Sequence, residues 1–233
     1  MTETLINAAI LIPCLIIAIV FHEVAHGWTA LALGDPTAQE QRRLSLNPIR
    51  HVDPVGTLLV PGALALMGGP IFGWAKPVPV QQRRLKNPRY GMMLVAAAGP
   101  ATNIILGIIG AIIFGLAFPS LTGLSDGTFN YVLQAFQFFI IINIFLALFN
   151  LLPIPPFDGS HIVQGLLPRS MAGQYAKLQQ MGMFLLIALI AATWAFPQAG
   201  IIENTVGVPV EWLYDKFLRL SLAIAGVQAP AVT

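Results

Sequence analysis

Residues 5–33 read LINAAILIPCLIIAIVFHEVAHGWTALAL, and their reading decides the fold. At about 1.5 Å rise per residue, an uninterrupted apolar run of this length spans a hydrocarbon layer of about 30 Å with tilt to spare. Gly34-Asp35-Pro36 ends it. Two-thirds of the way along lies Phe21-His-Glu-Val-Ala-His-Gly27, in which His22 and His26 stand four residues apart and so project from one face of a helix. Two imidazoles so placed can share a zinc ion, and Glu23 is then beside the metal without ligating it, where a general base for hydrolysis belongs. The bland alternative is a pair of buried histidines hydrogen-bonding between helices. Ionisable groups at membrane depth are expensive, however, and mark functional sites by default.

The rest of the chain agrees with a membrane setting. Of 233 residues, 56% are hydrophobic and 9% charged, with mean hydropathy +0.76, whereas soluble domains carry about 25% charge. The net charge of +2 and the lack of a long basic run exclude a nucleic-acid surface. Cys14 is the single cysteine, so no disulfide forms within the chain. Met-Thr-Glu-Thr at the start lacks the basic residues of a secretory leader, and the first segment is read as a retained anchor. Further spans are expected at 90–118, 130–152 and 178–196. Residues 55–75, broken by seven glycines and prolines, are expected to form a re-entrant or irregular segment, and 209–227 an amphipathic helix or short last span. The prediction is an all-α polytopic membrane protein, one domain of about four to six transmembrane helices with a short re-entrant, β-containing insertion between the first two full spans. Leu44-Ser45-Leu46 alternates like a short strand, and Lys76-Pro-Val-Pro-Val80 reads as an extended edge able to receive a substrate strand or as a plain connector. The basic loop 76–89 against the acidic loop 119–129 orients the set, placing both loops that flank 55–75, and the site, on the cytoplasmic side.

A catalytic zinc site takes a third protein ligand. Its best source is Asn150-Leu-Leu-Pro-Ile-Pro-Pro-Phe-Asp158-Gly159, where three prolines unwind a helix just before a carboxylate. His161 is a rival. Asn150 is read as binding a substrate amide or holding the oxyanion, against plain interhelical hydrogen bonding. Gly99, Pro100 and Asn103 allow close helix approach and an interhelical hydrogen bond, while His51 and Asp53 pair in a loop or stand near the site.

These motifs, in this order, with Gly34-Asp-Pro-Thr-Ala38, Leu46 to Pro54 and Gly73 to Val80, resemble the site-2 protease family of intramembrane zinc metalloproteases, in its compact form without sensor domains. Phe157 departs from the Leu often found before Asp-Gly. The resemblance implies one zinc ion per chain on His22, His26 and Asp158, with Glu23 as catalytic acid/base and Asn150 assisting substrate binding. It further implies a transmembrane protein substrate, a lipid bilayer as surroundings and a prokaryotic cell membrane as location. The alternatives are a zinc-binding membrane transporter, and a family member without proteolytic activity. Oligomeric state carries no signature in the sequence.

Overall fold

The computed structural model describes residues 2–60 and 75–227. Among the described residues three helices are long and apolar enough to cross a membrane: α1 (Thr2–Ala32), and, after the four-residue α2 (Thr37–Glu40), α3 (Pro88–Leu121) and α4 (Asp126–Asn150). Then come α5 (Asp158–Leu166), α6 (Arg169–Gln179), α7 (Gly182–Ala195) and α8 (Val208–Ile224). The helical membrane architecture expected from composition is the one observed.

Each helix that positions the site begins or ends for a local reason. Gly34 takes φ +107°, the Asp35 N–H reaches the Ala30 carbonyl at 2.9 Å, and this left-handed cap stops α1. Asn87 caps α3 by accepting the Tyr90 N–H at 3.2 Å, with Pro88 in the first turn, where it sacrifices no helical hydrogen bond.

Packing centres on α3, which meets α1, α4, α5 and α8. An apolar cluster of Ala111, Ile140, Ile144, Val206, Val210 and Phe217 joins α3, α4 and α8. Small residues make the approach possible: a Cβ on Gly107 would lie 2.9 Å from the Phe217 ring, and one on Gly115 would lie 2.5 Å from the Ser221 carbonyl oxygen. Ser221 Oγ donates to the Ala111 carbonyl at 2.9 Å across the same seam. The C-terminal stretch expected as amphipathic or spanning is thus a 17-residue helix seated in a groove of α3.

The stretch expected as a span, 178–196, holds the 14-residue α7 and the end of α6, and the two helices meet at a 65° bend. One expectation changes. No strand occurs among the described residues. The alternation at Leu44–Leu46 has no ladder partner, since Ser45 turns its N–H onto Arg43 O and its own carbonyl accepts from His51 Nε2. The core of the re-entrant reading, 61–74, lies outside the described residues; of its start, Pro54–Leu59 is a short π-helix capped by Asp53, whose Oδ1 accepts the Val55 and Gly56 N–H groups.

Candidate metal centre

His22 and His26 face α3 from the inner side of α1, both buried. Each ring is fixed from behind. His22 Nδ1 lies 2.6 Å from Asn103 Oδ1, and His26 Nδ1 lies 2.7 Å from the Val95 carbonyl oxygen. A carbonyl oxygen accepts only, and the Asn103 amide is oriented because its nitrogen donates to Ala18 O at 3.1 Å and Asn143 Oδ1 at 2.9 Å. Both imidazole protons therefore sit on Nδ1, and both Nε2 lone pairs face forward. Asn143 in turn donates to Phe139 O at 2.8 Å, so a fully buried amide chain ties α1, α3 and α4 together behind the histidines.

Gly99 is the floor beneath the rings. A Cβ there would stand 2.6 Å from His22 Nε2 and 2.6 Å from His26 Cε1, so the position must lack a side chain for the imidazoles to lie where they do.

Asp158 arrives from the opposite direction. It opens α5 directly after the proline-rich break, and Gly159 lets the helix start tuck under the end of α4, where a Cβ would collide with the Leu151 and Leu152 carbonyl oxygens. At the far end of α5, Arg89 of α3 donates to the carbonyls of Gly165, at 3.1 Å, and Leu167.

The two halves meet in a triangle. His22 Nε2 is 3.1 Å and His26 Nε2 3.3 Å from Asp158 Oδ2, and the two Nε2 atoms are 3.0 Å apart. Ligand atoms on a tetrahedral zinc ion at about 2.0–2.1 Å stand about 3.3–3.5 Å from one another, close to these separations. Three lone pairs converging in a buried place also require a cation between them. The residues present therefore fit a zinc ion, and no other group of three such donors occurs among the described residues.

Glu23 lines the same cavity, of about 320 Å³, together with the triangle, Val78, Asn150 and His161. Its Oε2 accepts the Val78 N–H at 2.8 Å. That amide belongs to the extended segment 75–80, which is pinned elsewhere by the Lys76 N–H on His51 O at 2.9 Å and by buried Arg43, whose Nη2 donates to Lys76 O at 2.7 Å. Asn150 is half-buried and commits its Nδ2 to Leu146 O at 2.9 Å, one turn back in its own helix. His161 lies outside the donor triangle. His51 is buried and donates from Nε2 to Ser45 O at 2.7 Å, supporting the loop that carries Lys76; it does not line the cavity.

Sequence reasoning missed Asn143, the Val95 carbonyl and Arg43. Asn143 had one available signal: it stands seven residues before Asn150, two helical turns away on the same face of an apolar helix.

A helical membrane bundle enclosing a His-His-carboxylate triangle beside a glutamate has the build of a membrane metalloprotease. Residues 125–192 match the model of Peptidase family M50. Over 183 residues the chain is 39% identical to "Putative zinc metalloprotease YwhC" of Bacillus subtilis, covering 77% of this chain and 78% of that one. It is 25% identical over 175 residues to "Putative zinc metalloprotease Rip2" of Mycolicibacterium smegmatis, covering 75% of this chain and 64% of the relative. A 70-residue stretch is 40% identical to "Putative zinc metalloprotease MJ0611" of Methanocaldococcus jannaschii, covering 30% of this chain and 32% of that one. No solved structure matches. The chain belongs to peptidase family M50, the site-2 protease family, and is a membrane metalloprotease.

Proposed function

We propose that this chain hydrolyses peptide bonds in or near the transmembrane helices of membrane-protein substrates, with one zinc ion held by His22, His26 and Asp158. The donor triangle supports the reading most directly, since three donor atoms lie within 4.8 Å of one another beside a glutamate that ligates nothing. The chemistry supplied by zinc in that place is Lewis acidity toward a carbonyl oxygen and toward water.

The protein's own groups supply the rest. Glu23, oriented through Oε2 by the Val78 amide, takes a proton from the attacking water and passes it to the leaving amine nitrogen. Asn150 has one amide N–H committed to Leu146, so its oxygen is the atom best suited to accept a substrate backbone N–H. A helical substrate shields its carbonyls with its own hydrogen bonds and must unwind to enter. The basic charge of loop 76–89 supports water access from the cytoplasmic side. A zinc transport path would need donor groups spread along several spans, and among the described residues the metal donors gather at one cavity.

Glu23→Gln tests the assignment on a transmembrane substrate in proteoliposomes. Zinc content stays at the wild-type level and cleavage is lost; near wild-type turnover in this variant overturns the role of Glu23.

A further inference from the structure

His161 is a polar group of the cavity that the metal triangle does not use. It follows Asp158 by three residues, nearly one turn along α5, and its ring lines the same cavity as Glu23, Asn150 and the triangle. It contributes no atom to the donor group. Gln179 Nε2, from the end of α6, lies 3.2 Å from His161 Nδ1. An amide nitrogen only donates, so Nδ1 accepts, and the proton of the neutral ring resides on Nε2. Burial favours that neutral form by lowering the pKa of the ring, against the pull of the Asp158 charge. Nε2–H makes no hydrogen bond to protein among the described residues, in a cavity where the other nearby amide, Asn150, has already spent one donor on its own helix.

We infer that His161 is a further catalytic residue, donating Nε2–H to the substrate carbonyl oxygen as negative charge develops on it. The inference rests on the peptidase reading of the cavity. As water adds to the carbonyl carbon, Glu23 receives its proton and the C=O π pair moves onto oxygen, where the His161 N–H meets it. On collapse the pair returns, the C–N bond breaks, and the amine leaves with the proton from Glu23. The imidazole transfers no proton; it contributes because it is aligned in advance by Gln179 and need not reorganise as charge appears.

The test compares wild type, His161→Ala, His161→Gln and His161→Asn in proteoliposomes containing a transmembrane substrate, reading kcat, KM and zinc per chain. His161→Ala lowers kcat by about 10²-fold, the scale of losing one oxyanion donor, with KM within about threefold of wild type and zinc unchanged. His161→Gln places an amide N–H near the former Nε2 position and recovers kcat at least about tenfold over alanine, whereas the shorter Asn does not. Three results overturn the inference alone: a kcat for His161→Ala within about threefold of wild type, loss of zinc in both the Ala and Gln variants, or a Gln variant no faster than Asn. Absence of cleavage by wild type overturns the peptidase reading and this inference together.

Discussion

The two halves of the proposed metal centre are built by opposite means. The histidine half is a stretch of continuous helix, clamped from behind by Asn103 and Val95 and from below by Gly99, in contacts that all come from long packed helices. The aspartate half is the first residue of a nine-residue helix hung from a proline-rich turn, held by the fit of Gly159 under α4 and by Arg89 on the carbonyls at its far end. One half is preorganised by helix packing, the other by loop geometry. The difference teaches where the support of each half lies: the histidines depend on a side chain, a carbonyl and a missing Cβ of the helix that faces them, and the carboxylate depends on backbone contacts around its own short element.

Substitutions graded by effect can break or sharpen that contrast. The largest effect belongs to Gly99→Ala, whose Cβ meets both imidazoles in a region where neither helix can retreat; zinc affinity in the purified protein falls more than about 100-fold. Asn103→Leu keeps the volume but removes the acceptor behind His22, and titration with a competing chelator shows zinc affinity weakened about 10- to 100-fold. Gly159→Ala forces the start of α5 off the Leu151 and Leu152 carbonyl oxygens and displaces one ligand where Gly99→Ala displaces two, weakening zinc roughly tenfold in the same titration. A loss for Gly159→Ala equal to that for Gly99→Ala would erase the distinction between the halves.

The smallest effect concerns the frame around both halves. Asp35 is fully buried just past α1, with Oδ1 accepting the Thr37 N–H and hydroxyl and Oδ2 accepting the Gln81 N–H at 2.5 Å. Burial alone would raise its pKa, but these hydrogen bonds and Arg84 together hold it below the usual carboxylate value. Because the folded value is the lower one, its stabilisation is present in full above the unfolded value of about 3.9 and is lost as pH falls through the folded value. Asp35→Asn therefore costs about 1 kcal/mol in detergent unfolding at neutral pH, and the gap from wild type narrows below about pH 4. A gap that widens in acid would contradict the pairing.

The same contrast governs what could be read in advance. His22, Glu23 and His26 are a local pattern, and four-residue spacing translates directly into one helix face. Asp158 was legible through its prolines, which announce that a helix must stop. Their meeting across 136 residues could only be expected on chemical grounds, since each motif describes only its own neighbourhood. Val95 supports His26 through a backbone carbonyl, which every residue type possesses, so no side chain could have signalled it. Gly99 and Asn103 were legible as packing and hydrogen-bonding positions, but not as the floor and back wall of the site. The bend between α6 and α7 escaped because hydropathy averages over a window and carries no information about direction. Alternation at Leu44–Leu46 misled because a period of two without a partner edge stabilises nothing.

The groove of α3 that receives α8 has a consequence for how the molecule is made. Gly107, Ala111 and Gly115 are synthesised about a hundred residues before Phe217, Ser221 and Ile224 arrive to fill the space beside them. Every residue of the donor triangle has been synthesised by then, so the proposed site has all its parts while the helix that carries Gly99 and Asn103 still lacks a neighbour. The packing of α8 against α3 is thus a late step, remote from the chemistry.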